Sequence, residues 1–308
     1  VTTLTDMINE VSMNLSGYTL QQDRATHITA AVAATASTIA APITLSLAST
    51  DSVGKGIIEI DEELFWVDNY DRVGNTATIA PYGRAYLGTT LAAHTEGTKV
   101  TIAPTFPRFV IKRAINDTIN AIGASIFAAA TTTITSNSAV SAFRLPTTGT
   151  TLNISKILSI AYQALGSSKE WIPIRSYRFD GNANSTAFTS GQTVSIYDYI
   201  PSGRTVQVVY ATDPVPFTTN ADVFTTQTGL PESCKDLIIL GATYRLLSNL
   251  DPARASMVSP QADETDSKRP YGSSQSLTKQ VYALFNQRLN EEIKNQQDKY
   301  PIRVHYSL

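Results

Sequence analysis

The chain has 308 residues, with 24 lysines and arginines against 26 aspartates and glutamates, a formal net charge of −2 and a charged fraction of 16%. That length accommodates two or three domains of ordinary size, and the low charge argues against a protein held to nucleic acid by a basic surface. A single cysteine, Cys234, excludes an internal disulfide framework, and no apolar run approaches the roughly 18 residues of a membrane helix. The chain begins at Val1, which predicts removal of an initiator methionine, and its start lacks the charged-then-apolar pattern of a secretion signal.

Residues 1–15 read as a short amphipathic helix, with Leu4, Ile8, Val11 and Leu15 on one face, Thr3 as cap, Asp6 three residues on, and Gly17 as the stop. Residues 21–41 show no clean period and read as a strand or loop after a brief helical turn. From Ile43 to Val100 the texture is β. Ile43 to Leu47 alternates strictly, and Ile57–Ile60 with Leu64–Val67 forms a hairpin around Asp61, Glu62 and Glu63. Three adjacent acids raise the possibility of a cation site, but a solvated turn is the preferred reading, because no second set of ligands stands at an interpretable spacing. The most specific local pattern follows from Gly83 to Val100, with Arg84, Gly88-Thr89, His94 and Gly97 at its marked positions. His94 and Glu96 could be a catalytic pair, yet a deaminase-type His-x-Glu needs a later Pro-Cys-x-x-Cys, which is absent. A structural His94 that bonds the loop to backbone is preferred.

Pro104 and Pro107 bracket the start of a second helix, where Ile111, Ile115, Ile119, Ile122 and Ile126 give the clearest helical stripe. Residues 131–138 read as a polar linker. A second β module covers Ala139 to Thr212, with strands at 152–154, 157–162, 171–174, 193–197 and 205–210 separated by turn residues, which predicts a small antiparallel sandwich. Trp171, Tyr177, Phe179 and Tyr199 are either core or a sugar-binding platform, and core is the commoner fate. A linker over 211–229 leads to a helix over 231–250, opened by Pro231 and Glu232, with Leu237, Leu240, Gly241, Tyr244 and Leu247 as its stripe and Asp251-Pro252 as its stop. A polar run over 259–276 reads as a solvated loop, or as a segment that orders against a partner. A helix from Ser273 to Tyr300 then carries Leu277, Val281, Leu284, Phe285, Leu289 and Ile293 on one face, roughly 40 Å long at 1.5 Å per residue. After Pro301 the run Ile302, Arg303, Val304, His305, Tyr306 alternates as a terminal strand, which must pair with another sheet edge or remain a frayed tail.

The sequence carries no phosphate-binding Gly-x-x-x-x-Gly-Lys-[Ser/Thr] loop and no Gly-x-Ser-x-Gly nucleophile elbow. His27, His94 and His305 are far apart and imply no metal set. Cys234 lies in a first helical turn, where the dipole could lower its pKa, but with no base partner a packed thiol is the better reading. Paired carboxylates for glycoside hydrolysis stay open, since their spacing is three-dimensional. No enzyme activity, cofactor or metal is expected.

The stretch Gly83 to Val100 resembles the Arg-Gly-x-x-Gly-Thr-x-x-x-x-His-x-x-Gly-x-x-Val stretch of small β modules in tailed-bacteriophage structural proteins, with Ala85 where glycine commonly follows the arginine. With the passage from Val208 through Pro214 to Leu230–Leu237, and the long last helix with its short tail, the chain resembles a tailed-phage head-to-tail adaptor (neck or connector) protein. The resemblance implies an α+β architecture: a bundle of about four helices (1–15, 105–130, 230–300), two inserted antiparallel β-rich modules (16–104 and 131–229) and a tail strand (301–308). It further implies a virion protein made in the host cytoplasm that sits at the head–tail junction. There it forms a homo-oligomeric ring, commonly of twelve copies, beneath the portal protein. Such a ring extends the DNA channel without sequence-specific DNA binding, and offers a platform to the next tail or neck component and to tail fibres, with no membrane. Ile302, Arg303, Val304, His305 and Tyr306 are the expected portal contact. The rival readings are a baseplate or fibre-attachment protein and a carbohydrate-binding or depolymerising virion protein.

Overall fold

The computed structural model describes residues 1–19, 23–137, 139–145, 154–165, 170–184, 186–248 and 273–301. The protein is a mixed α/β chain with several antiparallel sheets, and it divides into two compact units. One holds Val1–Leu4, Asn116–Leu240 and the chain from Tyr282 onward; the other holds Thr5–Ile115 and a segment from Gly241 to Val281.

In the second of these units, helix α1 (Leu4–Thr19) buries Met7, Ile8, Val11 and Leu15, so the expected stripe holds, while the helix runs through Gly17 rather than stopping there. The β module is a six-stranded antiparallel sheet of β1 (Arg24–His27), β2 (Thr44–Ser46), β3 (Gly56–Ile60), β4 (Glu63–Asp71), β5 (Thr76–Ile79) and β6 (Lys99–Ile102), in the order β1-β6-β3-β4-β5-β2. The two end strands meet: Thr29 N–H donates to the Ser46 carbonyl at 2.9 Å and Ala48 N–H to the His27 carbonyl at 3.0 Å, beside an Ile28–Leu47 bridge. The sheet therefore closes on itself as a small barrel, which removes its edges. Ile28, Leu45, Ile58, Ile60, Phe65 and Val67 fill the interior.

Helix α2 (Arg108–Ile122) follows Pro107, and all five isoleucines of the stripe from Ile111 to Ile126 are buried, although Ile126 lies past the helix end. The first backbone amide of α2, that of Arg108, is satisfied by Glu59, a buried acid on β3. Burial pushes the Glu59 carboxyl up to about 7, against the opposing pull of the Arg108 amide and guanidinium.

In the other unit, β7 (Ala128–Thr135), β9 (Ile154–Gln163), β10 (Trp171–Pro173) and β13 (Thr205–Thr212) form a sheet in the order β10-β9-β13-β7. A second sheet has β11 (Tyr177–Asp180), β12 (Thr193–Ile196) and β8 (Ala142–Arg144) in the order β11-β12-β8. Ile134, Ile160, Val206 and Val208 from one sheet and Leu145, Val194 and Ile196 around the other share one core, so the module is the expected sandwich. The linker expected at 131–138 is strand in its first five residues: Thr131 to Thr135 belong to β7 and pair with β13 along their whole length. Their β-branched side chains suit a strand, and Ile134 turns into the core. Likewise Ile154 and the strand expected at 157–162 belong to one strand, β9, bent by two register irregularities against β13; residues 152 and 153 lie outside the described residues.

The expected linker after β13 contains a short helix, α3 (Phe224–Thr228), that clasps the start of the chain. Phe224 N–H donates to the Thr2 carbonyl at 2.9 Å, and Leu4 N–H donates to the Asp222 carbonyl at 3.1 Å. Gly229 ends α3 at φ 69°, and a side chain there would also meet the Ala128 methyl at 2.8 Å. A 3-10 turn at Glu232–Cys234 leads into α4 (Lys235–Ser248), and α5 (Ser273–Lys299) matches the expected last helix. Helix α4 buries Leu237, Ile238, Ile239, Ala242, Leu246 and Leu247, more than one stripe, whereas α5 buries Val281 and Phe285 and leaves Leu284 exposed. The five helices of the described residues are scattered among the sheets, and the expected four-helix bundle is not evident. The stop at Asp251-Pro252, the polar run before Ser273 and the tail strand over 302–306 lie outside the described residues.

Candidate functional site

The most chemically built constellation grows from the β3–β4 hairpin and the loop before β6. Asp61 and Glu62 form the turn, and Glu63 opens β4 with its side chain only 1% exposed. The expected solvated acidic turn is therefore wrong at its third residue. Arg84 explains why: its Nε and Nη2 donate to the two oxygens of Glu63, each at 2.8 Å. Its remaining donors reach the carbonyls of Ala33 (2.7 Å), Thr35 (3.1 Å) and Ala92 (2.6 Å). The guanidinium also lies over the Phe65 ring, 4.7 Å from its centroid.

His94 completes the network. Its Nδ1 donates to Asp61 at 2.7 Å and its Nε2 to Glu63 at 3.0 Å, so both nitrogens carry protons and the ring is an imidazolium. Burial opposes that charge, but the Asp61 and Glu63 carboxylates outweigh it and raise the His94 pKa to about 9. For Glu63, burial again opposes ionisation. The Arg84 and His94 hydrogen bonds and the Ala92 and Ala85 amides prevail, bringing it down to about 2. Two cations thus balance two anions. The structural reading of His94 holds, although its side chain bonds carboxylates, while its backbone bridges Val32. Glu96 takes no part in the network.

Chemically, the arrangement is closed. Both Glu63 oxygens are saturated by Arg84, His94 and the Ala85 and Ala92 amides, which leaves no lone pair aimed at a substrate. What it does is hold a strained loop. Tyr82, Ala85 and Leu87 all have left-handed backbone, at φ 59°, 50° and 56°. A Cβ at Gly83 would sit 2.9 Å from the Ala80 and Trp66 carbonyl oxygens. On the loop and adjoining strand, Tyr82, Leu87, Leu91 and Trp66 are exposed, and the Trp66 and Tyr86 rings pair at 5.2 Å. The backbone at Ala85 gives the physical reason glycine suits that position. Ala85→Gly should raise the stability of the barrel by about 0.5–1 kcal/mol in urea titration, and unchanged or lowered stability would count against strain there.

The charge network also fixes a pH profile for the barrel. The His94 contribution is fully present below its ordinary 6.5 and is lost as pH rises through about 9. The Glu63 contribution is present above 4.5 and lost as pH falls through about 2. Glu59, whose carboxyl is raised instead, adds stability below 4.5 that is lost as pH rises through about 7. Urea midpoints followed by Trp66 fluorescence should therefore decline from pH 6.5 to pH 9, and His94→Gln should flatten that decline. A wild-type midpoint that stays level across this window would refute the assignment.

In the other unit, Arg288 on α5 ties the start of α4. Its Nε donates to Asp236 at 2.8 Å and its Nη2 to Glu292 at 3.0 Å, while Glu292 accepts from Ser233 Oγ at 3.2 Å. Cys234 is buried beside Glu292; burial first, and that carboxylate second, push its thiol up to about 12. The packed-thiol reading holds: the thiol is buried and its pKa is raised rather than lowered. Among the aromatic quartet, Tyr177 and Phe179 pack on the sandwich core, whereas Trp171 and Tyr199 are exposed, with no ring pairing among the four. No cluster of His, Cys, Asp and Glu among the described residues could hold a metal ion, and no described helix is long and apolar enough to cross a membrane.

The features that remain are surfaces and clamps that stiffen them. A family model described as SU10 adaptor protein matches residues 89–305, from inside the clamped loop into the tail. The chain belongs to the SU10 adaptor protein family. Membership makes it a phage adaptor, a structural component of the virion that contacts other virion components. A search of curated proteins found no match. The family match begins at residue 89, so it takes in His94 and leaves out Arg84 and Glu63.

Proposed function

We propose that this SU10 adaptor family member is the head-to-tail adaptor of its particle. Copies of the chain form a ring beneath the portal, in the commonly dodecameric arrangement, extend the DNA channel and carry the next tail or neck component. The family match, over residues 89–305, is the observation that supports this reading, because it covers the sandwich, helices α2 to α5 and the tail as far as residue 305. Residues 302–306 are the proposed portal contact. A net charge of −2 suits a channel through which DNA slides without sticking. The role is structural rather than catalytic: the Glu63 network serves as a clamp, and the chain is proposed to need no cofactor.

A cryo-EM reconstruction of the portal vertex of the source particle tests this directly. Twelve copies seated against the portal, with residues 302–306 on the portal surface, are expected. Finding the chain at the tail tip or on a fibre would overturn the proposal in favour of a baseplate or fibre-attachment role.

A further inference from the structure

The two β modules treat their edges differently. The barrel closes, but among the described residues the sandwich leaves half of β9 uncovered on one side. On one side β9 pairs with β13 from Ile154 to Tyr162. On the other, β10 covers only Ala161 to Gln163, and the last bond is from Ile174 N–H to the Ile160 carbonyl at 2.9 Å. There the chain peels away, because the Arg175 and Ser176 amides donate to Asp198 at 2.8 and 3.1 Å. Among the described residues, no strand pairs with Lys156 to Ser159 on that side. An uncovered row of strand N–H and C=O groups is a template for an added strand.

A cleft of about 180 Å³ occupies the vacated position, lined by the open stretch of β9, by Ile174 and Arg175, and by Tyr300 and Pro301. The end of α5 is fixed at this rim. Gln296 accepts from Phe127 N–H at 3.2 Å and donates to the Phe127 carbonyl at 2.6 Å. The Phe127 ring lies 5.8 Å from Tyr300 and takes the Lys156 ammonium at 4.4 Å. Pro301, the last described residue, bars further helix and lines the cleft.

We infer that the open edge of β9 is a strand-acceptor site and that its occupant is this chain's own segment Ile302 to Tyr306. The lengths match: four open residues span about 13 Å, and five extended residues about 17 Å. Ile302, Val304 and Tyr306 fall on one face and Arg303 and His305 on the other, so an added strand presents apolar side chains beside half-buried Ile157 and Leu158. Covalent attachment at Pro301 favours the chain's own segment over a neighbour's, through an effective concentration on the order of millimolar. The inference stands independently of the portal proposal: a tail used by the portal must first leave this edge.

Hydrogen–deuterium exchange on the isolated chain, compared with a chain ending at Pro301, tests it. Removal of residues 302–308 should speed exchange of the edge amides in Lys156–Ser159 by at least about tenfold. Val304→Pro in the full chain should do the same without truncation. Ser159→Cys with Val304→Cys should form a disulfide within one chain, at a rate independent of protein concentration. Unchanged exchange, protection moving from the outer edge of β7 instead, or a disulfide only between chains would each overturn the inference. Portal binding by the same truncated chain is a separate readout, so lost portal binding with unchanged exchange would sink this inference and leave the adaptor proposal standing.

Discussion

An Arg84→Met chain is expected to lose about 3–5 kcal/mol of barrel stability, the cost of breaking a buried ion pair by removing one partner. Methionine retains much of the aliphatic contact with Phe65 but leaves Glu63 buried without its bidentate partner. The carbonyls of Ala33, Thr35 and Ala92 also lose their donor. His94 and the two amides still hold Glu63, but they cannot replace the guanidinium plane that spans three chain segments. Domains are commonly stable by only about 5–15 kcal/mol, so the loss should be visible as a large fall in the urea midpoint of Trp66 fluorescence. The sandwich, followed through Trp171, should keep its own midpoint. Adding Glu63→Leu to Arg84→Met should recover part of the loss, because an apolar pair needs no compensating charge. A single-variant cost below about 1 kcal/mol would mean that the clamp does not stabilise the loop.

Phe224→Ala should cost a similar amount, about 3–5 kcal/mol, through a different mechanism. The ring is fully buried and lies 6.4 Å from that of Phe217. Its truncation leaves a cavity beside the backbone bonds that hold Thr2 and Leu4. We expect a lower midpoint for the sandwich unit together with faster proteolysis of the first residues, whereas Phe224→Leu, which fills more of the space, should show smaller changes in both. Wild-type proteolysis of Phe224→Ala would separate the ring from the clasp.

Short-range pattern carried much of the fold. The isoleucines from Ile111 to Ile126 and the alternation from Ile43 to Leu47 reveal their burial because each repeats at the period of its own element. What was not legible depends on partners far along the chain. Thr131 to Thr135 look like a linker until β13, some seventy residues on, supplies the other half of the ladder. Glu63 looks solvated among its acidic neighbours because Arg84 and His94, which bury it, stand 21 and 31 positions away. The Arg84 and His94 positions were visible as a pattern, yet nothing local tied them to that carboxylate. The extra helix at Phe224–Thr228 was hidden by five residues with no apolar period of their own.

The clasp between Thr2, Leu4 and the segment from Asp222 to Phe224 has a consequence for how the protein is made. The barrel strands all lie between Arg24 and Ile102, so their module can be completed while the chain is still being synthesised. The very first residues, in contrast, have to wait until Phe224 leaves the ribosome. At translation rates of about 5–20 residues per second, that delay is on the order of 10–45 seconds. Once Ile102 has emerged the nascent chain can carry a finished barrel with a free leading end, and only late in synthesis is that end drawn into the unit that holds the sandwich.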